Sequence, residues 1–72
     1  MTNEITVNGV TYRIGDTIKI LNMDNNEGKD TQADDYNGRT GEIKFIDDLG
    51  TLFGSWGSLG VIPDLDAFVK IQ

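Results

Sequence analysis

The sequence predicts an all-β fold, a small closed barrel of five to six antiparallel strands with one long acidic loop. Three observations predict it. Apolar and polar residues alternate with period two in short runs: Ile43 and Phe45 against Glu42 and Lys44, and Ile18 and Ile20 against Lys19. Turn-forming pairs such as Asn8-Gly9, Gly15-Asp16 and Leu49-Gly50 divide these runs. The chain has 72 residues, so residues 1–72 make a single domain with little surface to bury, and bare sheet edges would invite aggregation.

The central unit lies within residues 38–56, as strands over 42–46 and 51–56 joined by the polar turn Asp47-Asp48-Leu49-Gly50. On the return strand Leu52, Gly54 and Trp56 share one face and Thr51, Phe53 and Ser55 the other. A first strand over 5–7 meets Asn8-Gly9, a pair that accepts positive φ at both central positions and so favours a type I′ hairpin. Val10, Tyr12 and Ile14 then form the partner strand, Gly15-Asp16 turns the chain, and residues 17–22 rejoin the sheet.

Residues 23–37 are polar and aperiodic, and read as a long loop closing one end of the sheet. Loops of about 15 residues without internal structure are uncommon and frequently functional. A short helix near 31–36, with Thr31 as N-cap, is the alternative there. After the central hairpin, Gly57-Ser58-Leu59-Gly60 reads as a tight connection and Val61-Ile62 as a short strand cut off by Pro63. Asp64-Leu65-Asp66 turns, and Phe68, Val69 and Ile71 close the chain as a final strand. Closure of these strands into an SH3-like barrel is the economical arrangement; an oligonucleotide-binding type of barrel needs longer strands and usually a helix.

Composition narrows the chemistry. With neither cysteine nor histidine there is no disulfide framework, no Cys-based zinc site and no imidazole for acid–base work near neutral pH. Asp47 and Asp48 are adjacent, so their side chains point to opposite sides and do not make a proton-sharing pair; a solvated turn whose Asp bonds nearby backbone is the simpler reading. No catalytic residue, cofactor or metal is expected. In the acidic loop an EF-hand template starting at Asp24 fails, because Lys29 falls where glycine is required. The start, MTNEITVNG, lacks a basic region and an apolar core of the signal-peptide type, and no apolar run approaches the ~20 residues of a membrane span, so a soluble cytoplasmic protein is expected. A formal net charge of −6 repels nucleic-acid backbones and anionic membranes at long range. Lys19 and Lys44 would make a small basic stripe if their strands pair, a poor nucleic-acid footprint without interleaved aromatics.

The single tryptophan, Trp56, shares a face with Leu52, which favours core or semi-buried packing over the alternative of an exposed aromatic gripping a proline-rich segment; Tyr36 or Phe53 is the better exposed binding aromatic, unless the long loop covers Phe53. Tyr12-Arg13-Ile14-Gly15-Asp16-Thr17-Ile18, Gly38-Arg39-Thr40-Gly41, Asp47-Asp48-Leu49-Gly50, Trp56-Gly57 and Leu59-Gly60-Val61-Ile62-Pro63 with Asp66 and Phe68 together resemble a domain family of unknown function met in phage, prophage and other mobile-element genes, mainly of Gram-positive bacteria. The match runs from roughly Tyr12 to Ile71 and implies an SH3-like barrel without an agreed activity. The turn after Trp56 is shorter here than in many members, and the loop after Met23 is longer and more acidic. The resulting expectation is a non-enzymatic, monomeric protein-interaction module that meets a basic protein surface through Asp34, Asp35, Tyr36, Asp47, Asp48 and Phe53. The competing expectation is a nucleic-acid-associated barrel or an acidic nucleic-acid mimic.

Overall fold

The computed structural model describes residues 3–23, 28 and 31–71. The described chain runs β1 (Glu4–Val7), β2 (Val10–Arg13), β3 (Thr17–Asn22), α1 (Thr31–Asp34), β4 (Thr40–Ile46), β5 (Leu52–Gly54), β6 (Gly57–Val61) and β7 (Ala67–Lys70). The all-β class holds, but closure does not. The described strands number seven rather than five or six, and they form two antiparallel sheets, a β1-β2 hairpin and a five-stranded sheet in the order β6-β5-β4-β3-β7. Register shifts interrupt three pairings of the second sheet, β3–β7, β4–β5 and β5–β6, and such irregularities bend strands and increase their twist.

The first hairpin forms for the reason its turn suggests. Asn8 and Gly9 sit at φ 51° and 82°, the two positive angles of a type I′ turn, and set the register Val7↔Val10 through Glu4↔Arg13. Across that register the Thr6 and Thr11 hydroxyls bond at 3.0 Å and Glu4 pairs with Arg13 at 2.8 Å. Its inner face carries Tyr12, whose ring lies 5.0 Å from that of Phe68 on β7, so the hairpin is seated on the larger sheet by an aromatic contact. Ile18, Ile20, Ile43, Ile46, Leu52 and Val61 are fully buried and form the centre of the core. On β4 the alternation expected to place Phe45 on the buried face with Ile43 is broken by the register shift between them, so Ile46 turns inward and Phe45 outward.

Two expectations about the chain's path are corrected. The strand expected over 51–56 ends at Gly54, because Ser55 and Trp56 form a tight turn and residues 57–61, expected to be a connection, are β6. The Ser55 amide donates to the Glu42 carbonyl and the Glu42 amide to the Ser55 hydroxyl, which ties the turn to β4. The loop expected over 23–37 contains α1, and three of its residues, Met23, Ala33 and Tyr36, are buried. Ala33 and Tyr36 lie three apart, one above the other on the side of a helical turn, which turns both inward. Asp24, Glu27, Lys29 and Asp30, and the side chain of Thr31 with its N-cap role, lie outside the described residues. The Lys19–Lys44 stripe does not form: Lys19 stands opposite Thr40 and Val69, and Lys44 pairs with Glu42 at 3.3 Å.

Asp16 ties the chain's ends together. Its Oδ2 accepts from the Arg13 amide at 2.8 Å and meets Lys70 Nζ on β7 at 3.3 Å. The Arg13 amide first, then Lys70, hold the carboxyl below its ordinary value of 3.8, against an opposing push from burial. A lowered folded pKa stabilises fully above the unfolded value, and the gain is lost as pH falls through the folded one. Asp16→Asn is therefore expected to lower the urea midpoint at pH ~7 and to differ less from the parent at pH ~2, as the carboxylate takes up its proton. Equal offsets at the two pH values would show that the charge contributes nothing.

Candidate functional site

The turn at 62–66 is built by one aspartate. Asp66 Oδ2 accepts from the Ile62 amide at 2.7 Å, while the Ile62 carbonyl accepts from the amides of Leu65 and Asp66 at 3.0 and 2.8 Å. Proline at 63 needs no ladder partner there. Closing the turn buries Asp66 and pushes its two aliphatic neighbours outward: Ile62 is 42 % and Leu65 60 % exposed.

Three grooves meet on this turn. The largest, about 280 Å³, is lined by Met23, Ala33, Thr51, Phe53, Leu59, Gly60, Ile62, Leu65 and Asp66. A second of about 220 Å³ shares Pro63 and Asp66 and reaches Val7, Val10, Leu21 and Phe68. A third of about 190 Å³ shares Ile62 and Pro63 and reaches Ile5, Val7, Leu49 and Asp64. Phe53 and Phe45 extend the first groove along the outer face of β4 and β5, with ring centres 6.0 Å apart and Phe45 44 % exposed. Phe53 packs over Gly60 of β6, where a Cβ would run into its ring and into Thr51.

The residues expected to bind divide between this groove and the scaffold. Phe53 lines the groove. Asp34 and Asp35 are exposed and follow Ala33, which lines it on the α1 side. Asp47 holds its own turn: Oδ1 accepts from the amides of Leu49 and Thr51, each at 2.9 Å, and the second of these residues lines the groove. Asp48 is exposed on that turn beside Leu49, which is 91 % exposed.

Tyr36 is not an exposed aromatic. It is buried, and its hydroxyl accepts from the Ser58 amide at 3.0 Å and the Leu59 amide at 3.4 Å. The Ser58 hydroxyl above all, then the Leu59 and Ser58 amides and the nearby Arg39 charge, hold the phenol below its ordinary 10.0 against burial, which pushes it up. Arg39 stacks on the Tyr36 ring at 4.2 Å and donates to the carbonyls of Trp56 and Asp35 at 2.8 and 3.1 Å. Tyr36 thus fastens the α1 segment to edge strand β6 and occupies backbone donors that an edge would otherwise present. Trp56 is buried as expected, and its Nε1 donates to the Leu59 carbonyl at 2.8 Å.

Sequence reasoning missed Ile62, Leu65 and Asp66. The available signal was two large aliphatics flanking Pro63-Asp64, in a turn where polar residues are the rule. Among the described residues, no group of three or more His, Cys, Asp or Glu side chains is placed to hold a metal, and no helix is long and apolar enough to cross a membrane.

No curated protein and no solved structure matches the chain. A family model does, over residues 3–71, nearly its whole length, so the chain belongs to the family described as a domain of unknown function, DUF4314.

Proposed function

We propose that this domain is a non-enzymatic protein-interaction module, acting as a cytoplasmic monomer in the service of a phage or other mobile genetic element. Its docking face is the groove between α1 and the turn at 62–66. One observation carries the reading: three apolar grooves converge on a turn whose own hydrogen bonds hold Ile62 and Leu65 out in solvent. The mobile-element setting draws its support from the motif resemblance, and the non-enzymatic role from a sequence that has no histidine or cysteine. Asp34 and Asp35 supply charge on the α1 side, while Asp47 shapes the opposite wall.

Leu65→Asp tests the reading. The side chain is mostly exposed, so folding should be preserved, and its melting temperature is the control. The parent, captured from a bacterial host lysate after nuclease treatment, is expected to retain a near-stoichiometric partner that Leu65→Asp loses. Reversing Asp34 and Asp35 to lysine is expected to weaken capture and flatten its salt dependence. A partner that vanishes with nuclease would move the assignment to nucleic acid. One that ignores Leu65→Asp would place docking elsewhere.

A further inference from the structure

Granting the docking role proposed above, we infer that the groove's occupant is a short basic amphipathic segment of a partner protein, with two or three aliphatic or aromatic anchors flanked by lysine or arginine. The size of the groove sets the kind of ligand. At about 280 Å³ it falls just under the ~300–1,000 Å³ of pockets that enclose small molecules, and it is open, so it takes anchor side chains rather than a buried cofactor. Its walls set the anchor chemistry. Phe53, Leu59, Ile62 and Leu65 offer hydrocarbon, and the exposed Phe45 continues the surface beyond the groove.

Charge sets the flanks. Among the described residues, the ionisable side chain in the lining is acidic, Asp66; Asp34 and Asp35 follow Ala33 on one wall and Asp64 precedes Leu65 on the other. None of the described basic residues is among those lining the groove, and Lys19 stands on β3 opposite Thr40 and Val69. Arg13 pairs with Glu4, Lys44 with Glu42 and Lys70 with Asp16, and Arg39 is folded onto Tyr36 and the Trp56 carbonyl. With a net charge of −6 behind it, the face attracts cationic segments and repels anionic ones.

The same charge argues against a second copy of this chain. A two-fold interface apposes a patch with itself, so the acidic walls would meet like charge around a modest apolar contact. A phosphate backbone is disfavoured on the same ground.

The test is selection of binders from a displayed random-peptide library on the intact protein, counter-selected on Leu65→Asp. Enriched peptides are expected to pair apolar anchors with lysine or arginine. The best of them, synthesised with a fluorophore, should lose about tenfold or more in affinity to Leu65→Asp, the loss of one hot-spot anchor. It should also weaken several-fold between ~50 and ~500 mM salt. Amide shifts on titration should centre on Phe53, Ile62 and Leu65. Groove-dependent peptides that are neutral or acidic would overturn the basic-segment inference and leave the docking face standing. The face itself fails if no selected peptide depends on Leu65 and the lysate partner is indifferent to the same substitution. Concentration-dependent dimerisation abolished by Leu65→Asp would make the occupant a second copy and overturn the inference.

Discussion

Trp56→Ala is expected to remove a large fraction of the domain's stability, from about a third to all of it. Truncating a buried tryptophan typically costs about 3–5 kcal/mol. A 72-residue domain has a total stability on the order of 4–11 kcal/mol at ordinary values per residue. The position is more demanding than burial alone implies. The indole lies against Gly41 of β4 and Gly54 of β5, its Nε1 donates to the Leu59 carbonyl, and the Trp56 carbonyl accepts from Arg39. Removing the ring therefore opens a void against two strands and leaves a carbonyl of β6 without that donor. Far-UV circular dichroism and a urea titration provide the check. A cooperative transition within about 1 kcal/mol of the parent would mean that the indole is not the keystone its contacts suggest.

Gly54→Ala is the second substitution with a large expected effect, although it adds only a methyl group. A Cβ at this position would meet the backbone carbonyl of Glu42 and the Cζ3 and Cη2 atoms of Trp56. The carbonyl belongs to the neighbouring strand and cannot swing away as a flexible side chain would, so relief requires β4 and β5 to part or the indole to shift. Overpacking of this kind costs about 1–3 kcal/mol, occasionally more. Part of that clash is with the indole, so Gly54→Ala should cost less in a Trp56→Phe background than in the parent. A coupling on the order of 0.5–3 kcal/mol is expected from a double-mutant cycle read by urea midpoints. Strictly additive effects would assign the whole penalty to the Glu42 carbonyl; a neutral Gly54→Ala would show that the strands separate freely.

Both substitutions act where the strand reading of the sequence went astray. The alternation of Leu52, Gly54 and Trp56 placed all three on one face correctly, since Leu52 and Trp56 are buried. It could not show that the strand ends at Gly54. A two-residue turn at Ser55-Trp56 preserves the inward direction of Trp56, so periodicity alone cannot tell a continued strand from a reversal. The first hairpin carried no such ambiguity, because Asn8-Gly9 specifies its turn through backbone conformation and its register follows.

The candidate site was less legible than the core. Phe53 was identified as a surface aromatic because its face opposes that of Leu52, and it does line the groove of about 280 Å³. Tyr36 was misplaced. Its neighbours in the chain are polar, and nothing local indicates that Ser58 and Leu59, more than twenty residues on, would donate to its hydroxyl. Asp47 was anticipated as a turn residue and acts as one. Ile62 escaped notice because an apolar residue before a proline reads as the end of a buried strand, and Leu65 because it was read only as the middle of a turn.

What the sequence determined by itself was local or periodic: the all-β class, the type I′ turn, the inward Ile18, Ile20 and Ile43, and the lack of histidine and cysteine that removes the commonest catalytic groups. These follow from side-chain chemistry and from φ/ψ preferences that act over a few residues. Only the tertiary structure decided that the sheets stay separate, that Tyr36 is a buried fastener and that three grooves share one turn. Each depends on contacts between residues far apart in the chain, where the free energy belongs to the pair and neither residue's own preference records it.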